Sequence, residues 1–323
     1  MSNRPRVVVT RRLPAPVEEE LAHRYDVELN RDDQPLGPTG LKRALETADA
    51  LLCTVTDRLT AEVLAVEPLR ARILANYGVG YNHIDLDAAR RRGLTVTNTP
   101  EVLTDDTADD AVLLLLMVAR RAGEGERQVR AGGWTGWRPT HMLGTKVSGK
   151  TLGLVGFGRI ARAVARRAKG FGMRVLYHDP YPPPPAVESE LGVTRVSALD
   201  ELVGQADFLS LHCPATPETR HLMDARRLTL MRPTAFLINS ARGDVVDEAA
   251  LVEALRRGSI AGAALDVYER EPAVSPELLT MENVVLLPHL GSATTETRVA
   301  MGMRSFENLN AFFGGGTPRD RVV

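Results

Sequence analysis

Cysteine is almost missing from this chain: Cys53 and Cys213 are the only two in 323 residues, far apart and at no zinc-ligand spacing. A disulfide framework and a zinc knuckle are excluded, and a reducing, cytoplasmic compartment is expected. Excess charge is missing too. With 40 Lys and Arg against 41 Asp and Glu, no global field steers the protein toward nucleic acid or a lipid surface. No membrane-length apolar run occurs either, because AVLLLLMVA, Ala111 to Ala119, is about half the roughly 20 residues a spanning helix needs. It reads as a buried helix. The opening MSNRPRVVVT lacks a basic segment followed by an apolar core, which argues against secretion. No histidine pair stands at helical metal-ligand spacing, so no metal is expected. No internal repeat stands out, and YPPPP, Tyr181 to Pro185, reads as a stiff extended loop.

What the chain does have is alternation. Short apolar runs (RVVVT, ALLCTV, RILANYG, LTVTN, TLGLVGFG, RVLYHD, DFLSLHCP, AFLINSARG, GAALDVY, NVVLLPHLG) take turns with helical patterns. This predicts an α/β protein with doubly wound parallel sheets. About eleven strands suit two sheets better than one, and the length allows two domains. The expected division is 1–98, 99–289 and 290–323. A strand ends at Asn98-Thr99-Pro100, and the C-terminal helix returns to the first domain, leaving the first domain discontinuous.

GLVGFGRIA, Gly153 to Ala161, lies between an apolar strand and the amphipathic helix RIARAVARRAKGFG. Gly156 permits the tight turn, Gly158 lets backbone approach a pyrophosphate, and the helix N-terminus supplies amide donors. The third fingerprint position is Ala161, small enough for helix-to-strand packing. Asp179 ends the next strand, where a carboxylate meets the adenosine ribose hydroxyls. A turn that used its glycines only to bend would leave Asp179 unexplained. That carboxylate also repels the extra phosphate of NADP, and no Arg or Lys directly follows it, so NAD is the expected cofactor.

In VLLPHLGS, Val285 to Ser292, His289 stands at the mouth of a strand, open to three readings: packed core residue, metal ligand, or acid and base. Arg242 immediately follows the strand AFLIN, where a doubly wound fold puts its ligands, and its planar fork matches a carboxylate. Asp266 ends a further strand and Glu271 precedes Pro272. His23, His83, His141, His178, His212 and His221 show no comparable pairing in the sequence and read as structural or exposed.

The stretches NYGVGYNHID, NTPEVLTDDTAD, GGWTGWRPTHMLG, GLVGFGRIARAVARRAKGFGM, HCPATPETRHL, INSARGDVVDEAALVEAL, AALDVYEREP and LLPHLGSAT together cover most of the chain. In them the sequence resembles the D-isomer-specific 2-hydroxyacid dehydrogenases, most closely their glyoxylate and hydroxypyruvate reductases. The resemblance implies a Rossmann nucleotide-binding domain inserted in a flavodoxin-like substrate domain. It implies Arg242, Glu271 and His289 as the catalytic arginine, glutamate and histidine, with Val79 and Gly80 offering amides to the substrate carboxylate. Arg159 and Ile160 would lie at the pyrophosphate and Asp266 near the nicotinamide carboxamide. Thr107, Cys213, Pro214, Thr219, Ala241 and Gly291 would line the cofactor cleft. A homodimer paired through the nucleotide domain is implied as well, with the Trp134, Trp137 and Met142 loop narrowing the partner's pocket.

The chemistry suits these roles: reduction of a 2-keto acid needs a hydride and a proton, and histidine titrates near the working pH. His289 would give the proton, Glu271 would hold it there, and Arg242 would orient the substrate. Glyoxylate and hydroxypyruvate are therefore the expected substrates. DDTADDAV departs from the family's pattern with Asp109 where many relatives have Glu, and Asp110 where an apolar residue is usual. Many NADP-using relatives carry a basic residue after the second Rossmann strand, whereas this chain has HDPYPPPP. A phosphoglycerate dehydrogenase-like or other D-2-hydroxyacid dehydrogenase is the alternative within the family. A dinucleotide-sensing corepressor is the alternative from another class.

Overall fold

Apolar runs flanked by turn residues form the strands of two sheets in the computed structural model, which describes residues 4–323. The first sheet holds β1 (Arg6–Val9), β2 (Asp26–Leu29), β3 (Ala50–Thr54), β4 (Ile73–Tyr77) and β5 (Thr95–Thr97), in the order β2-β1-β3-β4-β5. The second holds β6 (Thr151–Val155), β7 (Arg174–His178), β8 (Thr194–Arg195), β9 (Phe208–Leu211), β10 (Phe236–Asn239), β11 (Gly262–Leu265) and β12 (Val284–Leu286). Its order is β12-β11-β10-β9-β6-β7-β8. Every strand pair is parallel. The first order is the flavodoxin-like one and the second is the Rossmann order with one strand added, so both sheets have the doubly wound form expected.

Two of these strands, β2 and β8, escape the sequence pattern. Both are edge strands. Asp26 and Glu28 of DVEL are exposed with Val27 and Leu29 only half-buried, and Thr194 and Arg195 are exposed, so neither strand carries the apolar run that marks an inner one. Polar edges protect a sheet from unwanted pairing, at the expense of a readable signal.

The chain divides into two units, one ending at Leu103 and resuming over Ala293–Val323, the other spanning Thr104–Ser292. The sequence places the crossings slightly earlier, after Asn98 and His289. Two sets of hydrogen bonds account for the difference. Thr99 donates its amide to Gly78 O at 3.0 Å, tying the turn after β5 to the first sheet. Leu290 and Gly291 donate theirs to Asp266 of the second unit at 2.6 and 2.9 Å.

In the first unit the helix Thr295–Phe313 is joined to β4 by Tyr77 Oη donating to Arg298 O at 2.6 Å. Tyr25 Oη reaches Asn310 Oδ1 on the same helix at 2.6 Å. The chain end is stitched to β5: Val322 donates to Val96 O at 2.7 Å, and Arg304 holds Asp320 through two bonds of 2.6 and 2.9 Å.

The inner strands of the second unit bury both faces, as parallel strands between helices must. Leu237 and Leu209 face one apolar cluster, while Phe208, Phe236 and Ile238 face the other. The helix Thr104–Ala119 packs Ala108, Ala111, Leu114, Leu115 and Val118 into that second cluster, at helical spacing. No described helix is long and apolar enough to cross a membrane.

Candidate active site at the strand ends of the second unit

A doubly wound sheet gathers its ligand-binding residues at the carboxyl ends of its strands, because the connections leaving those ends diverge and open a crevice. Here β6, β7, β9, β10, β11 and β12 bring Gly156, Asp179, Cys213, Arg242, Asp266 and His289 to that edge.

The turn after β6 is set by a close approach. Gly156 has φ +87°, and a Cβ there would stand 2.9 Å from the carbonyl carbon and oxygen of His212, so only glycine fits. The same contact sets Gly156 against Cys213, whose thiol burial pushes up to about 11. Gly158 caps the helix Arg159–Gly170 with no side chain on the first amides, and the space where its Cβ would be is open. Uncapped N-terminal amides beside bare backbone suit a pyrophosphate. Arg159 and Ile160 open that helix. Asp179 accepts the Phe157 amide at 2.7 Å and the Tyr181 amide at 2.7 Å, so it also braces the glycine turn.

Thr219 folds the loop after β9 back on itself, its Oγ1 donating to Pro214 O at 2.6 Å. Thr107, Asp266 and Gly291 meet: Thr107 Oγ1 donates to Gly291 O at 2.8 Å, and Gly291 N–H donates to Asp266 Oδ2. Burial raises the Asp266 carboxyl, and the Leu290 and Gly291 amides oppose the rise.

His289 sits beside this group with φ +57°, a left-handed backbone that a non-glycine residue adopts at a cost. Its amide donates to Asp266 O at 2.9 Å, which helps hold that conformation. Its ring Nδ1 lies 2.8 Å from Glu271 Oε2. Partial burial pushes the Glu271 carboxyl up. The His289 hydrogen bond and charge, the Tyr268 amide and the Arg242 guanidinium outweigh it and hold Glu271 below its ordinary value. An ionised carboxylate can only accept, so Nδ1 carries the hydrogen and Nε2 is left to exchange a proton.

Arg242 follows β10. Asn239 turns the chain there, its Nδ2 donating to Arg242 O at 2.9 Å and its Oδ1 accepting the Ala241 amide at 3.0 Å. Dense surroundings pull the guanidinium down from its ordinary value, and Glu271 opposes the shift.

Val79 and Gly80 lie in the first unit after β4. Their carbonyls are tied back by Asn98 Nδ2 at 2.9 Å and Asn76 Nδ2 at 3.0 Å. Asn76 is held in turn by His83 Nε2 at 3.0 Å.

Three features escape the sequence reading. Glu248 accepts the amides of Glu269 at 3.2 Å and Ser275 at 3.0 Å, clamping the loop that carries Glu271. Gly243 backs the same loop so tightly that a Cβ would fall 1.9 Å from the Tyr268 carbonyl carbon. Arg195 on β8 places a guanidinium nitrogen 3.4 Å from Asp179 O, so a basic residue stands beside Asp179 although none directly follows it. One reading is corrected. His221 does pair with a carboxylate, its Nε2 lying 3.0 Å from Glu269 Oε1. That pairing joins two distant loops, so local sequence could not show it.

Residues 112–291 match the family described as D-isomer specific 2-hydroxyacid dehydrogenase, NAD binding domain. A glyoxylate reductase of Thermococcus onnurineus is 47% identical over 319 residues, 98% of this chain and 95% of that one. A crystal structure of a Thermus thermophilus protein aligns with a TM-score of 0.91 at 46% identity, over 98% of this chain and all (100%) of that one. An NADPH-dependent glyoxylate/hydroxypyruvate reductase of Sinorhizobium meliloti, solved with NADP and malonate, aligns with a TM-score of 0.89 at 36% identity, over 99% of this chain and 97% of that one.

Proposed function

The chain belongs to the D-isomer-specific 2-hydroxyacid dehydrogenases, and on that premise we propose that it reduces glyoxylate and hydroxypyruvate with NADH, using Arg242, Glu271 and His289. The observation that carries this reading is the His289 Nδ1 to Glu271 Oε2 pair of 2.8 Å at the strand ends that also hold Arg242 and Asp266.

The dinucleotide supplies the hydride when bound. Gly156, Gly158, Arg159 and Ile160 would hold its pyrophosphate and Asp179 its adenosine ribose. Thr107, Cys213, Pro214, Thr219, Ala241, Asp266 and Gly291 would complete its surroundings, with Asp266 serving the carboxamide. The uncapped helix start and the open space at Gly158 are what such a group requires. Arg242 binds the substrate carboxylate and draws charge toward the keto oxygen. His289 gives its Nε2 proton to that oxygen as negative charge grows on it. Glu271 keeps the imidazole charged before the transfer and oriented throughout.

NAD is preferred over NADP because the Asp179 carboxylate repels a phosphate at the ribose. Arg195 beside it lessens that repulsion, so some NADPH activity persists. Catalytic efficiencies for glyoxylate, hydroxypyruvate, pyruvate and phenylpyruvate, each with NADH and NADPH, test both assignments. Glyoxylate, which lacks the methyl group of pyruvate, should exceed pyruvate by about tenfold to a few hundredfold, the range one methyl group allows, and hydroxypyruvate should exceed pyruvate as well. Phenylpyruvate as the best of the four would overturn the substrate assignment, and a preference for NADPH would overturn the cofactor assignment.

A two-fold dimer is part of the same reading. Trp137, Leu143 and Trp134 are 81, 67 and 53% exposed, an apolar loop that needs cover. Sedimentation at working concentration should give twice the chain mass, and a monomeric mass would refute the pairing.

A further inference from the structure

Asp110 lies on the inward face of the helix Thr104–Ala119, 8% exposed, with its Oδ2 buried and without a hydrogen-bond partner. One turn earlier on the same helix Thr107 bonds Gly291 O at 2.8 Å, and the Gly291 amide bonds Asp266, so this buried face lies against the Asp266 carboxylate, which acts directly on Asp110. Asp266 itself already accepts two amides, from Leu290 at 2.6 Å and Gly291 at 2.9 Å. Two ionised carboxylates so placed would repel each other with no donor between them, and the bare oxygen would remain unsatisfied. A single hydrogen resolves both problems. The amides favour charge on Asp266, so the hydrogen belongs to Asp110.

We infer that Asp110 is held as a neutral carboxylic acid donating to Asp266, so that the carboxyl pair behind His289 carries one negative charge, and that loss of this shared hydrogen strengthens the hold of His289 on its own proton. Asp110 is thus a positioning residue that acts through Asp266 and His289. Burial first, and then the Asp266 charge and hydrogen bond, push its carboxyl up to about 7, with His289 opposing. Asp266 and His289 are the charged groups that act on it directly, and the others on the elements packed here are engaged elsewhere. Asp266 follows β11, His289 follows β12 with Glu271 paired to it, and Arg242 after β10 senses Glu271. From the neighbouring helix Arg159–Gly170, Arg167 is engaged by Asp105 and Asp109. As pH rises through neutrality, Asp110 ionises and adds an anion near His289. Keto-acid reduction is thereby sustained to higher pH than the His289–Glu271 pair alone would allow.

The kinetic part of this inference rests on the proposed reduction; the protonation does not. Infrared spectra of the protein without cofactor or substrate should show a protonated-carboxyl band at about pH 6 that fades by about pH 8. That band should be missing from Asp110→Asn. A wild-type spectrum that does not change with pH, or a variant that keeps the whole band, overturns the proposal whatever the activity. In turnover with NADH, Asp110→Asn and Asp110→Leu should both bring the alkaline limb down by about one pH unit, the effect of one nearby charge. An unmoved limb removes the coupling. NADH affinity, read by fluorescence, should fall about fivefold in Asp110→Leu, the loss of one hydrogen bond to Asp266, and be restored in Asp110→Asn, which keeps a donor. Equal affinities in the two variants would overturn the donor role.

Discussion

His289→Asn lowers kcat for keto-acid reduction by about 10²- to 10⁴-fold, the range for loss of a general acid, while NADH binding holds nearly constant. The asparagine preserves a polar group near Glu271 but has no proton to give the substrate oxygen. Glu271→Gln separates the tuning role from the chemical one. Reduction needs charged imidazole, which is present below the alkaline limb. Removing the anion 2.8 Å from Nδ1 lets that proton leave at lower pH, so the limb moves down by about one to three pH units. The two pH profiles are the measurement. A His289→Asn enzyme at wild-type speed, or a Glu271→Gln limb that stays in place, removes that residue from the mechanism.

Arg242→Gln should lower kcat/KM by about 10²- to 10³-fold, as expected when a charged donor to a carboxylate and a developing oxyanion is lost. Both parameters suffer: KM because the carboxylate anchor is gone, kcat because the keto oxygen loses its polarising neighbour. Arg242→Lys should recover only part of this, since a point charge cannot reproduce the planar fork. Asn239 braces this turn through Arg242 O and the Ala241 amide, and the Arg242 side chain adds one bond of 2.6 Å to Ala241 O, so the melting temperature should fall by only a few degrees, the effect of about 1 kcal/mol. If keto-acid kinetics survive Arg242→Gln within about twofold, the substrate carboxylate is bound elsewhere.

The sequence made legible what depends on local punctuation. Gly156 and Gly158 follow a strand and open a helix, Asp179 ends the next strand, and Arg242, Asp266 and His289 each stand where an apolar run stops. The doubly wound, parallel form of the sheets was accessible because alternating strands and helices admit few topologies. Features built between distant residues were not accessible. Nothing near Asp179 in the chain announces Arg195, which arrives from the neighbouring strand. His221 finds Glu269 across two loops. Glu248 reads as an ordinary acidic residue at a helix start, yet it grips the backbone amides of Glu269 and Ser275. Asp110 broke the apolar pattern of its helix, and only its burial beside Asp266 gives that break a chemical meaning.

The inserted arrangement of the chain bears on how the protein is made. A ribosome delivers all five strands of the first sheet by Thr97, but the helix Thr295–Phe313 that packs on β4 and the tail that pairs with β5 come at the very end. Between those events the whole contiguous unit Thr104–Ser292 emerges and has all it needs to close its own sheet. The part begun first is therefore finished last, and through most of synthesis one of its apolar faces waits uncovered. A stop codon directly after Ser292 would spare the nucleotide-type unit while leaving the segment up to Leu103 without the helix that completes it.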